Sequence, residues 1–144
     1  MVEILPVELA PEGASDPLSR QVIAWLDAHA ERQGHPFTQL SFGFAARERN
    51  ELAGGLAGHL LYRWVYVRLL AVAPEARGRG IATNLLAAAE AHGQREGALG
   101  ITLDTFGFQA LPFYEARGFR EIGRLPGRIP AETRYYLAKS LEGA

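Results

Sequence analysis

The sequence predicts an α/β fold: a mixed β-sheet of six to seven strands with helices on both faces. Three observations carry that prediction. Residues 69 to 92, LLAVAPEARGRGIATNLLAAAEAH, join an apolar run to an amphipathic helix through a glycine-containing turn. Residues 38 to 72 hold three strand-like runs joined by very short links, the pattern of an antiparallel meander. A helix then separates the fourth strand from the fifth, and such a crossover makes those two strands parallel neighbours.

Taken in order, residues 2 to 9 read as a first strand, with Val2 and Ile4 alternating before Pro6. Residues 10 to 15 are a loop rich in Pro and Gly. Asp16 followed by Pro17 is a helix start, a side-chain cap and then proline at the first helical position. Leu18, Val22, Trp25, Leu26 and His29 fall on one face of that helix, and Gly34 with Pro36 stops it. A second strand covers 38 to 47, a polar turn 47 to 51, and a third strand 52 to 62. Gly54, Gly55 and Gly58 weaken the third strand and suggest a bulge or close packing. Arg63 and Trp64 link it to a fourth strand over 65 to 72, which Pro74 ends because proline has no amide hydrogen for a ladder. In the next helix Ala82, Leu85, Leu86 and Ala89 recur at helical spacing, and Gly97 closes it. A fifth strand over 98 to 106, a short helix over 111 to 117 ended by Gly118, a sixth strand over 119 to 125, a loop over 126 to 132 and a last strand over 134 to 139 complete the chain.

The length of 144 residues suits one domain, 1–144, with a single well-covered core. A net charge of −1 gives no general attraction to nucleic acid. The absence of Cys removes disulfides, thiolate catalysis and Cys-based metal sites together, and no metal site is expected. The start MVEILPVEL lacks a basic region followed by a long apolar core, and no apolar stretch is long enough to span a bilayer. A cytoplasmic protein with no membrane partner is the expectation.

The turn itself is Arg77-Gly78-Arg79-Gly80. Glycines allow the backbone to bend and a ligand to approach it. The first turn of a helix has amide hydrogens without internal partners and a partial positive charge, so this bend is a candidate anion site, most naturally for phosphate. A Rossmann dinucleotide site fits poorly, since its third small residue would be Thr83 and the motif lies mid-chain. A P-loop is excluded because no Gly-Lys-Ser/Thr follows.

Arg77-Gly78-Arg79-Gly80-Ile81-Ala82 resembles the Arg/Gln-x-x-Gly-x-Gly/Ala pyrophosphate loop of the GNAT family of N-acetyltransferases. Ala110-Leu111-Pro112-Phe113-Tyr114-Glu115-Ala116-Arg117-Gly118-Phe119 is similar to that family's A-x-x-x-Y-x-x-x-G-F segment. The resemblance runs from about residue 52 to the C-terminus and is nearest to small bacterial members without a known acceptor. It implies the GNAT fold and acetyl-coenzyme A as co-substrate. It also implies a cofactor site at Leu70, Ala71, Val72, Arg77, Gly78, Arg79, Gly80, Ile81, Ala82 and Thr83. In the family the fourth strand splays from the fifth beside the thioester, and a freed main-chain amide, here within Leu70 to Val72, donates to the carbonyl. Tyr114 matches the tyrosine near the thioester sulfur, where a phenol can protonate the leaving thiolate.

Two departures from the family pattern concern the base and the pantetheine arm. The fourth strand offers no carboxylate. Asp104 on the fifth strand is the nearest acid and the candidate base, His59 is a second, and proton removal through water is a third route. His29, His35 and His92 fall at or near helix surfaces and take no role. Where the family often has Asn, this chain has Gly107, for which Gln109 is the candidate substitute. Acceptor features are sparse. Arg124, Arg128 and Arg134 in the last third could favour an acidic amine, and Trp25, Trp64, Tyr62 and Tyr66 are candidates for the pocket wall.

The resulting expectation is acetyl transfer to a primary amine, most naturally of a small molecule, by direct attack in a ternary complex. The alternatives are a non-catalytic acyl-coenzyme A binding or sensing module and a protein N-acetyltransferase. The resemblance also implies a homodimer, with Tyr135, Tyr136 and Leu137 as a candidate apolar edge.

Overall fold

The structure, a computed structural model, describes residues 1–10 and 16–142. Seven strands form one sheet: β1 (Glu3–Val7), β2 (Leu40–Glu48), β3 (Glu51–Leu61), β4 (Trp64–Val72), β5 (Gly100–Phe106), β6 (Arg120–Leu125) and β7 (Arg134–Ser140). Among the described residues three α-helices accompany them: α1 (Pro17–Arg32), α2 (Ile81–Arg95) and α3 (Leu111–Ala116). The expected loop over 10 to 15 lies, apart from Ala10, outside the described residues.

The sheet order is β1-β2-β3-β4-β5-β7-β6. Strands β1 to β4 run as an antiparallel meander, as the short links predict. The β2–β3 turn places Arg49 and Asn50 at φ 52° and 67°, and the β3–β4 turn places Tyr62 and Arg63 at 47° and 68°. Two successive positive φ values match the right-handed twist of the flanking strands, which is why such turns close two-residue hairpins. β4 and β5 are parallel, joined by the α2 crossover. β7 inserts between β5 and β6, so Leu137 is fully buried inside the sheet and the edge at this end of the sheet is β6, with Ile122 and Leu125 exposed. The apolar edge expected at Tyr135 to Leu137 is therefore an interior strand.

The core lies between the sheet and α2. Leu85, Leu86 and Ala89 on α2 pack with Leu56, Val65, Val67, Ile101 and Leu137 from the strands. Helix α1 departs from expectation. Its start is as read: Asp16 accepts a hydrogen bond from the Ser19 amide at 2.8 Å, with Pro17 opening the helix. Its apolar stripe, however, is not buried. Leu18, Trp25 and Leu26 are 73%, 64% and 55% exposed, and Ala30 is the helix's buried residue. The following segment is tied to the β3–β4 turn, where the Tyr62 hydroxyl donates to the His35 carbonyl at 2.6 Å.

Candidate active site

The sheet opens at its centre. β4 and β5 pair only from Trp64–Gly100 to Tyr66–Thr102, yet β4 runs on to Val72 and β5 to Phe106. Beyond Tyr66 the two strands diverge. The Ala73 amide donates to the Ala53 carbonyl at 2.8 Å. In an antiparallel ladder hydrogen-bonded pairs alternate, so Ala71 and Leu69 also face β3, opposite Gly55 and Ala57. Leu70 and Val72 then point their amides and carbonyls toward the place that β5 has left. A polar main-chain edge at Leu70 to Val72 thus faces a gap instead of a strand.

The loop after β4 supplies a second set of donors. Gly78 and Gly80 both have φ 77°, the left-handed region, and Gly80 is the N-cap of α2. A Cβ added at either would meet no atom within 4 Å. The surroundings are open, so glycine is required there by backbone conformation, and the open side faces a cavity. That cavity, of about 430 Å³, is lined by Leu70, Ala71 and Val72, by Arg77, Gly78, Gly80, Ile81, Ala82 and Thr83, and on its far wall by Phe113, Tyr114 and Arg117. Two stretches widely separated in sequence, 70 to 83 and 110 to 117, are brought together around one space.

Tyr114 stands in that wall, its ring edge-on to Phe113 and Phe119 at 5.2 and 5.8 Å. Burial pushes its phenol above the ordinary value of 10.0, because the phenolate would lose hydration. The group is a neutral donor at physiological pH. Arg117, quoted in the motif but given no role there, proves part of the same wall. Its Nε and one terminal nitrogen both donate to the Thr83 hydroxyl, at 3.0 and 2.8 Å, and its guanidinium lies 3.9 Å from the Phe113 ring centre. This contact fastens α3 to the first turn of α2 and puts a second cation, besides Arg77, beside the helix N-terminus. The only signal in the sequence was its place one helical turn after Tyr114.

Two expected cofactor residues point elsewhere. Arg79 makes a forked pair with Glu48, at 2.9 and 2.6 Å, which holds the Glu48 carboxyl below its ordinary range. Gln109 folds back on its own turn and accepts from the Phe106 amide at 2.9 Å. The reason for Gly107 is also visible: a Cβ there would run into the Pro130 carbonyl, so the loop after β6 occupies the space a side chain would need.

Asp104, the expected base, has both oxygens engaged. Oδ1 accepts from Arg134 Nε at 3.1 Å and Oδ2 from the Tyr66 hydroxyl at 3.1 Å. Asp104 and His59 line neither this cavity nor the larger one described next; His59 stacks near Tyr66, at 5.3 Å between ring centres. Arg134, at the start of β7, pairs with Asp104, and Arg124, in β6, with Glu121. Trp25, Trp64, Tyr62 and Tyr66 also lie outside both linings.

The larger cavity, about 930 Å³, lies over β1 to β4, with Val7 and Leu9 on one side, and shares Leu70, Ala71, Val72 and Arg77 with the first. Two adjoining spaces therefore meet at the open edge of β4. Among the described residues no cluster of His, Asp or Glu is arranged to hold a metal ion.

A glycine loop at a helix start, beside a sheet that opens at the same point, is the architecture of enzymes that move acyl groups from coenzyme A. The chain belongs to the GNAT acetyltransferase family, whose sequence profile matches residues 6–119. It is an acetyltransferase, and acetyl-coenzyme A is its co-substrate. It is 42% identical over 99 residues to a blasticidin-S acetyltransferase of Streptomyces morookaense, covering 68% of this chain and 73% of that one. A crystal structure of a candidate acetyltransferase from Agrobacterium tumefaciens superposes with a TM-score of 0.78 at 31% identity, over 93% of this chain and 99% of the other. The fold is shared with a nourseothricin acetyltransferase, at a TM-score of 0.63, 24% identity and coverage of 70% and 65%.

Proposed function

We propose that this protein transfers the acetyl group of acetyl-coenzyme A to a primary amine of a small molecule, by direct attack in a ternary complex. The observation that carries the reading is the junction of the two cavities at Leu70 to Val72. The smaller holds the cofactor, its pyrophosphate on the amides of Gly78 to Thr83 and beside Arg77. The larger admits the acceptor from the other side. The thioester then lies at the junction, where a main-chain amide of β4 donates to its oxygen as negative charge develops there. Tyr114, neutral and on the facing wall, donates its proton to the departing sulfur. Two relatives are named for acetylating antibiotics, which supports a small-molecule acceptor over a protein one.

The reading carries a cytoplasmic location and a homodimer as further expectations. Among the described residues no helix is long and apolar enough to cross a membrane. The test is incubation of protein and acetyl-coenzyme A with a panel of primary amines, following free thiol and the mass of the acetylated product. Amine-dependent thiol release with a matching product supports the reading. Cofactor binding without amine-dependent release from any amine would instead identify a non-catalytic acyl-coenzyme A binding module.

A further inference from the structure

Arg117 is held by its three nitrogens and by its flat face. Nε and one terminal nitrogen donate to the Thr83 hydroxyl at 3.0 and 2.8 Å, and the other terminal nitrogen donates to the Phe113 carbonyl at 3.0 Å. The guanidinium lies over the Phe113 ring. Arg117 and Thr83 are both half-buried, and both line the smaller cavity. Thr83 sits in the first turn of α2, just after the Gly80 cap. A threonine in a helix divides between two χ1 rotamers, because its hydroxyl can turn back to a carbonyl of the preceding turn. The fork from Arg117 selects one position for the oxygen. It also selects a direction for the proton. A guanidinium has donors and no acceptor, so the Thr83 oxygen accepts from it and the hydroxyl hydrogen must turn away. A hydroxyl held in this way meets an anion as a donor, and the cation behind it polarises the O–H bond.

We infer that Arg117 is a positioning residue for the cofactor: it holds the Thr83 hydroxyl as a donor to the pyrophosphate of acetyl-coenzyme A. The inference rests on the reading of the smaller cavity as the cofactor site. It adds an oriented side-chain donor to the main-chain amides of Gly78 to Thr83. Arg117 acts through Thr83, so its effect on binding depends on the hydroxyl being there. The contact joins segments 34 residues apart. The segment that carries Tyr114 on the cavity wall therefore also sets the phosphate end of the same cavity.

The experiment is calorimetric titration of acetyl-coenzyme A into the whole protein and into Thr83→Val, Thr83→Ser, Arg117→Met, the double variant Thr83→Val with Arg117→Met, and Gly80→Val. Thr83→Val should bind about tenfold more weakly, the usual effect of losing one hydrogen bond to a charged group. Thr83→Ser keeps the hydroxyl and should stay within about threefold of the wild type. Arg117→Met should bind about three- to tenfold more weakly, and the double variant no more than about twofold more weakly than Thr83→Val. Two further probes separate a donor from a mere fastening of α3 to α2. ADP, which carries a diphosphate without the thioester arm, should lose the same factor in Thr83→Val. S-acetylpantetheine, the arm without the pyrophosphate, should lose none when measured as a competitor. If Arg117→Met does not melt cooperatively, Arg117→Gln takes its place, since an amide oxygen accepts and no longer turns the hydroxyl proton away. Losses that multiply in the double variant, an equal loss for S-acetylpantetheine, or unchanged ADP affinity would overturn the inference. So would unchanged affinity in Thr83→Val while Gly80→Val binds weakly, which leaves the cofactor site intact. Unchanged affinity in both would overturn the cofactor site as well.

Discussion

Tyr114 is the residue whose proposed role its surroundings support best. Burial keeps its phenol protonated, and it lines the smaller cavity together with Leu70 to Val72. Phenylalanine retains the ring packed against Phe113 and Phe119 and removes only the hydroxyl. Tyr114→Phe should lower kcat by about 10²–10⁴-fold, the usual share of one proton-transfer group. Affinity for acetyl-coenzyme A should hardly change, since an interaction made in the transition state affects turnover and not ground-state binding. Wild-type turnover in the folded variant, with chemistry rate-limiting, would remove the hydroxyl from the mechanism. The place of Tyr114 in the cavity wall was legible because a local motif carries it. The partners of Arg79, Asp104 and Arg117 were not, because Glu48, Arg134 and Thr83 lie 31, 30 and 34 residues away. Only the folded sheet sets which side chains meet at such separations.

At the scale of elements, α2 was readable in its buried face and at its start: its apolar spacing gives the buried Leu85, Leu86 and Ala89, and its glycine start gives the left-handed cap. His92 on the same helix was read as lying at or near the helix surface without a role, and the structure shows it half-buried. It lies against Phe42 and Phe44, at 4.5 and 6.3 Å between ring centres, and burial lowers its pKa from the ordinary 6.5. A histidine with a depressed folded pKa binds fewer protons folded than unfolded. Its contribution to stability is present above the unfolded pKa of about 6.5 and is lost as pH falls through the lower folded value. Melting temperature should therefore fall between about pH 7 and about pH 5, and His92→Phe should flatten part of that slope. An unchanged slope in the variant would show that His92 is solvated in both states. For α1 the sequence announced the helix and its cap, but periodicity records only that a stripe is apolar, not whether a surface covers it. The insertion of β7 between β5 and β6 was illegible for a related reason, since strand order depends on which edges pair and not on any one strand's residues.

At the scale of the molecule, function follows from one discontinuity. A helix crossover makes β4 and β5 parallel, their pairing stops after Tyr66 and Thr102, and the gap receives the glycine loop, α3 and both cavities. The mixed sheet, the glycine loop and the second motif were legible beforehand, and they carry the proposed cofactor site. The larger cavity was not, because its walls come from four strands, β1 to β4, and from the loop after β4. Everything proposed here depends on acetyl-coenzyme A occupying the smaller cavity with its pyrophosphate on the loop. Calorimetric titration of acetyl-coenzyme A into the wild-type protein and into Gly80→Val tests that most directly. Valine at this left-handed cap would strain the loop and project its side chain into space where no protein atom lies within 4 Å of a Cβ. The wild type should bind one acetyl-coenzyme A per chain. Gly80→Val, still melting cooperatively, should bind at least tenfold more weakly, about 1.4 kcal/mol. Unchanged affinity in that folded variant would contradict the account.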